Sequence, residues 1–161
     1  MEGIVFRTEP QGSDVEDVRQ IVASTGFYNE NEISVAVDLV QERLDRGLAC
    51  DYLFIFADYG GRAVSFVCFG PIPCAKNNFE MYWMATHGDY RRKGIGREIL
   101  KRVERVVWAF SGRALYLSTS SKQIFMSTRE FFLKSNYRVD ATLFNFYDEN
   151  EHRMVFTKSF I

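Results

Sequence analysis

A short basic stretch with two glycines carries the strongest chemical signal in the sequence. It reads Asp89-Tyr-Arg-Arg-Lys-Gly-Ile-Gly-Arg-Glu98 and joins an apolar run, residues 79–86, to an amphipathic segment, residues 95–110. This order predicts a strand, a glycine-rich loop and a helix. Glycines let a ligand approach the backbone closely, and the first N–H groups of a helix have no partners within it. Because the helix dipole also favours an anion there, the stretch predicts a site for a phosphate-bearing ligand.

Basic side chains add positive charge beside the predicted start of this helix. They are Arg91, Arg92, Lys93 and Arg97. The pattern Arg91-x-x-Gly94-x-Gly96 is neither the dinucleotide-binding G-x-G-x-x-G motif nor a Walker A loop, which needs Gly-Lys-Ser/Thr. By itself the spacing is a weak signal, and an ordinary turn with solvated basic residues is the alternative interpretation. The strand and helix on either side of it favour the anion site.

The flanking sequence predicts the elements that position this loop. The predicted strands cover residues 3–8, 52–58, 62–70, 79–87, 113–119, 137–147 and 151–160, and the predicted helices follow Ser13 and Asn29 and cover residues 95–110 and 126–135. Ser13 with Glu16, and Asn29 with Glu32, have the spacing of capping boxes. Gly60-Gly61 predicts a tight hairpin. The order β-α-α-β-β-β-α-β-α-β-β indicates a mixed α/β domain whose sheet is partly parallel.

Composition and charge argue against several classes of protein. The chain has 161 residues, 47% of them hydrophobic, and a formal net charge of −1. These values are typical of one folded domain without a general affinity for nucleic acid or anionic membranes. No apolar run approaches the ~20 residues of a membrane-spanning helix, and the N-terminus lacks a signal-peptide pattern. Since Cys50, Cys68 and Cys74 match no metal spacing, we expect reduced thiols, no metal site and a cytoplasmic location.

The element order, taken with the basic loop, resembles the GNAT superfamily of N-acetyltransferases. The most specific segments are Met81-Tyr-Trp-Met-Ala-Thr-His-Gly-Asp-Tyr-Arg-Arg-Lys-Gly-Ile-Gly96 and Thr128-Arg-Glu-Phe-Phe-Leu-Lys-Ser-Asn-Tyr137. The resemblance covers essentially the whole chain and implies a single N-acetyltransferase domain over residues 1–161. It implies a mixed, mostly antiparallel sheet of about seven strands flanked by about four helices. It also implies acetyl-CoA as the acyl donor and CoA as the product.

The resemblance assigns cofactor contacts to particular residues. In that family the basic loop holds the pyrophosphate of acetyl-CoA, and the strand before the loop binds the pantetheine arm through its backbone. The implied pantetheine contacts are Met84, Ala85 and Thr86, and the implied phosphate contacts are Arg91, Arg92, Lys93, Gly94, Ile95, Gly96 and Arg97. Two further CoA contacts are assigned to Ser127 and Arg129, although the segment before them lacks the family's two asparagines. An ordinary surface charge is the alternative for Arg129.

Glu80 is the candidate for the catalytic base. Acyl transfer to an amine needs a neutral nucleophile, so a base or a water relay must take the amine's proton. Glu80 begins the strand that ends near Thr86, and some family members have a glutamate base at the matching position. At about 3.3 Å per residue, the strand separates the two by roughly 20 Å, which suits the acceptor end of an extended pantetheine arm. A solvated glutamate at a strand start is the alternative.

The sequence departs from the family at the acid that protonates the leaving thiolate. Phe132 stands where the family has a tyrosine, and it has no proton to give. Tyr82, Tyr116 or a water would then serve, or the step needs no acid from the protein. Asn136 replaces a family glycine, which is a mild change because asparagine tolerates the left-handed conformation common at helix ends.

The predicted function is an acetyl-CoA-dependent N-acetyltransferase that acts on a primary amine by direct attack in a ternary complex. The alternative is a noncatalytic acyl-CoA-binding or sensing module, which Phe132 favours and Glu80 opposes. The amine-bearing acceptor, a small molecule or a protein, is expected near residues 25–32, 71–78 and 148–151. Phe27 and Tyr28 would form an aromatic wall there. We expect no nucleic-acid or membrane partner, and a homodimer is compatible with the sequence.

Other conspicuous side chains are expected to be structural. His87 follows the predicted ligand strand but lies toward the pyrophosphate end, so we interpret it as structural or solvent-facing rather than as a base. Phe110 closes the apolar face predicted for the third helix. An aromatic set is expected in the core: Phe131, Phe132, Phe144, Phe146 and Tyr147.

Overall fold

In the computed structural model, which describes residues 1–161, strands and helices follow one another in the predicted order. The strands are β1 (Ile4–Arg7), β2 (Leu53–Tyr59), β3 (Arg62–Pro71), β4 (Asn78–Thr86), β5 (Ala114–Ser120), β6 (Arg138–Asp148) and β7 (Glu151–Ser159). The helices are α1 (Asp14–Ser24), α2 (Glu30–Arg46), α3 (Ile95–Ala109) and α4 (Met126–Lys134). None of the helices combines the length and the apolar character needed to cross a membrane. The prediction of seven strands and four helices is confirmed.

The seven strands form one sheet in the order β1-β2-β3-β4-β5-β7-β6. Strands β4 and β5 are parallel, with Asn78 beside Ala114 and Glu80 beside Tyr116. The pairs β1–β2, β2–β3, β5–β7 and β6–β7 are antiparallel. The sheet is therefore mixed and mostly antiparallel, as predicted. Because β7 lies between β5 and β6, the strand β6 forms an edge of the sheet.

The chain divides into two compact units. The first contains Met1–Gly70 and Tyr82–Val106, and the second contains Pro71–Met81 and Val107–Ile161. Strand β4 begins in the second unit and ends in the first, whereas helix α3 begins in the first and ends in the second. The basic loop before α3 thus belongs to the first unit and Glu80 to the second.

The core of the first unit joins the apolar stripes of α1 and α2 to buried side chains of the sheet. The cluster consists of Val18, Ile21, Val22, Ile33, Ala36, Val37, Val40, Phe54, Phe56, Ala63, Phe66, Cys68 and Ala85. Burying a large apolar side chain of this kind contributes about 1.5–3 kcal/mol. Since Ala85 belongs to the cluster, the end of β4 that leads into the basic loop is anchored in the core.

The two predicted capping boxes have different outcomes. The Asn29 side chain accepts the Glu32 N–H (2.9 Å) and the Glu32 carboxylate accepts the Asn29 N–H (3.1 Å), so the box before α2 is confirmed. The box at Ser13 is wrong, because Ser13 has helical dihedrals (φ −66°, ψ −18°) and its side chain makes no capping bond. The Asp14 carboxylate instead accepts the Gln11 N–H at 2.6 Å, which closes the turn before α1.

The turn predictions that depend on the left-handed conformation are confirmed. Gly60 and Gly61, with φ of 60° and 80°, connect β2 to β3, and Tyr59 lies opposite Arg62 in the hairpin. Asn136, after α4, has a φ of 68°. Asparagine therefore serves here in a conformation that most other side chains avoid.

Helix α3 ends earlier than predicted. It stops at Ala109, and Phe110, which we expected on the apolar face, is 61% exposed. Ser111 takes the left-handed conformation (φ 56°), and the Gly112 N–H donates to the Val107 carbonyl at 2.8 Å. A Cβ at Gly112 would lie 2.7 Å from that oxygen, so the return of the chain toward β5 requires glycine at this position.

The core of the second unit forms between β5, β7 and α4. Leu115 and Leu117 of β5 and Phe156 of β7 are buried, and Phe132 of α4 is buried with them. The Phe132 ring lies 6.2 Å from that of Phe156 and 5.6 Å from that of Tyr137. Phe132 is thus a packing residue, in agreement with the core position predicted for it.

The core prediction is wrong for the aromatic residues of β6. Phe144, Phe146 and Tyr147 are 72%, 50% and 49% exposed. They lie on an edge strand whose register with β7 is interrupted over positions 143–148, where Asn145 has a φ of 53°. The irregular strand turns these rings away from the packed interior. Phe131, from the same predicted set, is half-buried and contacts Phe132.

Candidate functional site

Local hydrogen bonds fix the end of β4 and the start of the basic loop. The His87 N–H donates to the Val64 carbonyl at 2.8 Å, and the Gly88 N–H donates to the Ser24 hydroxyl at 2.9 Å. A short 3-10 turn, Gly88–Tyr90, follows. A Cβ at Gly88 would lie only 3.1 Å from the Ser24 carbonyl oxygen, so the start of the loop packs closely against the end of α1. Its position is set by α1 and β3 together.

His87 is a structural residue, in agreement with the sequence interpretation. Its side chain accepts the Asp89 N–H at 3.2 Å and thereby caps the 3-10 turn. Its ring centroid lies 6.0 Å from that of Tyr90. The imidazole therefore helps to hold the loop.

The loop leaves backbone N–H groups at the start of α3 without helical partners. Arg92 and Gly94 have left-handed φ values of 61° and 84°. The Glu98 N–H donates to the Gly94 carbonyl at 3.1 Å, so the amides of residues 95–97 precede the first helical bond and have no partner within the helix. A Cβ added at Gly94 would meet nothing within 4 Å. This arrangement suits a bound anion.

Unpaired positive charge surrounds these amides. The side chains of Arg91, Arg92, Lys93 and Arg97 are exposed, and none lies within 4.0 Å of a carboxylate oxygen. The Arg91 guanidinium lies 5.3 Å from the ring centroid of Phe27, and the Lys93 ammonium lies 5.3 Å from that of Tyr90. The predicted phosphate-binding residues are therefore brought together as one positively charged loop.

The strand residues predicted to bind pantetheine lie just before this loop. Ala85 is buried, and Met84 and Thr86 are half-buried. The buried Ser65 hydroxyl donates to the Ala85 carbonyl at 3.0 Å and lies 2.8 Å from the Thr86 hydroxyl oxygen. One acceptor position of the Ala85 carbonyl is thus occupied within the protein. The pantetheine contacts stay a prediction.

Glu80 lies in the second unit among polar groups from three strands. On β4 it is the neighbour of Tyr116 of β5, and its side chain is 32% exposed. Its Oε1 lies 3.9 Å from Nη2 of Arg153, on β7. The Nε of Arg153 donates to the Ser118 hydroxyl at 2.9 Å, and its guanidinium carbon lies 5.0 Å from the Phe146 ring centroid. The carboxylate is accessible and has a cation beside it.

Arg153 is the functional candidate that the sequence did not reveal. It lies far from Glu80 along the chain, and the two approach only because β7 pairs with β5, which pairs with β4. The available signal was the alternation along β5 and β7, which places Ser118 and Arg153 on one face once the register Ser120–Arg153 is known. That register cannot be read from one sequence.

Arg129 holds the segment between β5 and α4. One of its terminal nitrogens donates to the carbonyls of Ser120 (2.7 Å) and Lys122 (2.8 Å). Glu151 accepts from the Ser120 hydroxyl at 2.8 Å and forms an ion pair with Lys122 at 3.2 Å. Ser127 is exposed on the first turn of α4. The CoA contacts of Ser127 and Arg129 stay predictions, and loop support is the role that the geometry gives Arg129.

Some side chains proposed to face the acceptor have other contacts. Phe27 lies beneath Arg91, and Tyr28 packs on Trp83 with ring centroids 5.0 Å apart. Glu32 completes the cap of α2. These contacts fix the three side chains in place.

The sequence matches one family over most of its length. Residues 15–136 match the family model described as the acetyltransferase (GNAT) family. The chain belongs to the GNAT acetyltransferase family. It is therefore an enzyme of the acyltransferase class, and the resemblance stated from the sequence is confirmed. No curated protein matches the sequence at a significant level.

Solved GNAT structures share the fold along nearly the whole chain. A GNAT-family protein from Desulfovibrio desulfuricans is 31% identical with a TM-score of 0.94, covering 97% of this chain and 98% of its own. An N-acetyltransferase from Staphylococcus aureus Mu50 is 16% identical with a TM-score of 0.76, covering 97% and 98% of the two chains. The PaiA N-acetyltransferase from Thermoplasma acidophilum, solved with coenzyme A, is 18% identical with a TM-score of 0.72, covering 97% and 99%. The last two likenesses establish the fold alone.

Proposed function

We propose that this GNAT protein transfers the acetyl group of acetyl-CoA to a primary amine by direct attack in a ternary complex, releasing CoA. The observation that carries the proposal is the loop before α3, where helix amides without intrahelical partners lie beside four basic side chains that have no carboxylate partners. Family membership and the coenzyme A in the T. acidophilum structure support the same donor here. When bound, acetyl-CoA supplies an acyl thioester.

The loop has the donors that a diphosphate needs. The amides of Ile95, Gly96 and Arg97 point out of the start of α3, and Arg91 and Lys93 add charged donors. Hydrogen bonds to charged groups contribute about 1.5–3 kcal/mol each. Because Gly94 has no side chain and open space beside it, phosphate oxygens can approach the backbone there. In this proposal the loop binds and orients the donor.

Glu80 is the proposed general base. Its partly exposed carboxylate accepts the proton that the amine loses as the C–N bond forms and the C–S bond breaks. Its position on β4, the strand that leads to the basic loop, supports this role. Proton abstraction by a positioned carboxylate is typically worth about 10²–10⁴-fold in rate.

Tyr116 is the proposed acid for the thiolate. Phe132, which occupies the family's tyrosine position, is buried and packed against Tyr137 and Phe156, so an acid from the protein would have to be a different group. Of the candidates from the sequence, Tyr116 is the one beside Glu80 in the β4–β5 pair, and its side chain is half-buried. A Tyr116→Phe variant should then lower kcat and leave the Kd for acetyl-CoA unchanged.

The experiment that tests the function is CoA-thiol release from acetyl-CoA with a panel of primary amines. We expect thiol release that depends on the amine and yields the N-acetyl product by mass spectrometry. A protein that binds CoA tightly but releases no thiol above the rate without amine would instead be the acyl-CoA-binding or sensing module. Hydrolysis in the absence of amine is the control, and its rate is subtracted.

We further propose that residues 1–161 work as a single N-acetyltransferase domain. Although the chain forms two compact units, β4 and α3 belong to both, which supports cooperative unfolding. Calorimetry should show one transition, with equal calorimetric and van't Hoff enthalpies. Light scattering distinguishes a monomer from a homodimer, and cell fractionation tests the cytoplasmic location expected from the sequence.

A further inference from the structure

We infer that the acceptor carries a carboxylate beside its amine, and that Arg153 binds this carboxylate while Glu80 faces the ammonium group. The inference rests on the proposed function, since it assumes that Glu80 meets the amine. It names a substrate class, amines of the amino-acid type, and a specificity-determining residue. The observation behind it is that Arg153 and Glu80 carry opposite charges, lie 3.9 Å apart and are both partly exposed to solvent.

The Nε of the Arg153 guanidinium is held by a hydrogen bond within the protein, and the terminal nitrogens are available to bind a ligand. The Nε donates to Ser118, and the guanidinium carbon lies 5.0 Å from the Phe146 ring centroid. The contact between Nη2 and Glu80 Oε1, at 3.9 Å, is an ion pair that lies beyond hydrogen-bond range. The side chain is 31% exposed. A guanidinium so fixed presents a rigid fork that matches a carboxylate.

The nearby acidic residue Glu151 does not compete for Arg153. Its carboxylate accepts from the Ser120 hydroxyl and pairs with Lys122 at 3.2 Å. Glu80 is thus the one carboxylate paired with Arg153. Both partners are partly exposed and the contact is long, so the pair is weak and easily opened by a ligand.

A zwitterionic ligand would replace the weak ion pair between Glu80 and Arg153 by two stronger ion pairs, one with each side chain. In an α-amino acid the ammonium and the carboxylate are neighbours, as the carboxylate of Glu80 and the guanidinium of Arg153 are here. If the ligand's ammonium lies beside Glu80 and its carboxylate beside Arg153, each charged side chain has a partner of opposite charge. An amine without a carboxylate would instead bring its ammonium beside the Arg153 charge, which disfavours it. The site therefore favours acceptors that carry a carboxylate and disfavours amines that lack one.

The test uses matched triplets of acceptors: an α-amino acid, its carboxamide and its decarboxylated amine, for several side chains. With the wild-type protein we expect kcat/KM to be about 10–100-fold higher for the carboxylate member, the size typical of a charge-assisted hydrogen bond. The amine of a carboxamide is less basic than that of the amino acid. Without recognition of the carboxylate, the amide would therefore react faster.

Variants then assign the preference to one side chain. Arg153→Gln should remove the preference by raising the KM of the amino acid, while the amide and the amine keep or improve theirs. Arg153→Lys should retain part of it, since it keeps the charge but not the fork. Arg138→Gln removes an exposed arginine that pairs with Asp140 on β6, and it should leave the preference intact. Melting temperatures of all variants verify that they are folded.

The outcomes separate this inference from the proposed function. Turnover of amines by the wild type without a preference for the carboxylate would overturn the inference and keep the function. If no amine is turned over, the function fails, and calorimetric titration of the CoA-loaded protein with the amino acid and its amide decides the inference. Binding that requires the carboxylate and is lost in Arg153→Gln supports it. Equal binding of both, or binding of neither, overturns it.

Discussion

The loop before α3 and the surroundings of Glu80 are both rich in charged side chains, but the charges are unpaired in the loop and paired around Glu80. In the loop, Arg91, Arg92, Lys93 and Arg97 have no carboxylate within 4.0 Å. Around Glu80, the acidic side chains are matched by basic ones, Glu80 with Arg153 and Glu151 with Lys122. The first region suits a ligand with several negative charges, and the second suits a ligand with little net charge.

This difference suggests a division of labour between binding and chemistry. Unpaired like charges repel one another, and a polyanion relieves that repulsion, so the loop gains most from the phosphates of a donor. Exposed pairs such as Glu80 and Arg153 contribute only about 0–1 kcal/mol of stability, so their charges remain available for exchange with a substrate. Changes in the loop should therefore alter donor affinity, and changes near Glu80 should alter the rate and the acceptor preference.

The largest effect is expected from Glu80→Gln, which keeps size and hydrogen bonding but removes the basic site. The kcat/KM for the acceptor should fall about 10²–10⁴-fold, or about 3–5 kcal/mol of barrier. The loss should lessen as rising pH supplies neutral amine from bulk solvent. The measurement is a pH–rate profile of both proteins with one acceptor, and Glu16→Gln, at an exposed position of α1 outside the expected acceptor regions, is the matched control. Superimposable profiles would remove Glu80 from the mechanism.

The next effect concerns the backbone of the loop. Saturation with CoA at about 100 times its Kd adds about 2.7 kcal/mol to the unfolding free energy, which corresponds to a rise in Tm of roughly 5–10 °C for a chain of this size. Gly94→Val should abolish most of this rise, because the side chain would fill the open space beside the helix amides.

A matched control separates the loss of binding from backbone strain. Gly61, in the β2–β3 hairpin, has nearly the same φ as Gly94 (80° and 84°) and also has open space beside it. Gly61→Val should therefore lower the Tm of the free protein by a similar amount but keep the full rise with CoA. A normal CoA shift in folded Gly94→Val protein would contradict the assignment of the loop.

A smaller effect is expected from Phe132→Tyr, which restores the family's hydroxyl. From the sequence alone this change would raise turnover if thiolate release limits the rate. In the structure the Phe132 ring is 4% exposed and packed, so the added hydroxyl overfills the core and should lower the unfolding free energy by about 1–3 kcal/mol. We expect no gain in kcat. Faster turnover without loss of stability in denaturant unfolding would show that the hydroxyl reaches the reacting atoms.

The smallest effect is expected from salt concentration, which should weaken donor binding more than acceptor binding. Screening weakens interactions between exposed charges, with a Debye length of about 10 Å at 0.1 M salt and about 3 Å at 1 M. The Kd of acetyl-CoA should rise several-fold over this range, whereas the KM of a zwitterionic acceptor should change much less. Titrations and initial rates at both salt concentrations measure the two. An acceptor KM with the steeper dependence would reverse the assignment of the regions.

The sequence predicted the strand, the loop and the start of the helix around Gly94 well because their signals are local. Gly94, the basic side chains and the start of α3 lie within one short stretch, and the backbone conformation follows from them. The pairing of Glu80 with Arg153 depends on strand registers across β4, β5 and β7, which have no local signal. The exposed Phe144 and Phe146 were predicted as core because hydrophobicity alone does not distinguish an irregular edge strand from a buried one.

The most direct test of this division is the dependence of the transfer rate on acetyl-CoA concentration, measured at saturating acceptor for Arg91→Gln and Glu80→Gln. Arg91→Gln should need more acetyl-CoA for half-saturation and reach the wild-type kcat. Glu80→Gln should keep the wild-type half-saturation and have a kcat that is lower at every acetyl-CoA concentration. If saturating acetyl-CoA restores the rate of Glu80→Gln, or fails to restore that of Arg91→Gln, binding and chemistry are not divided between these regions.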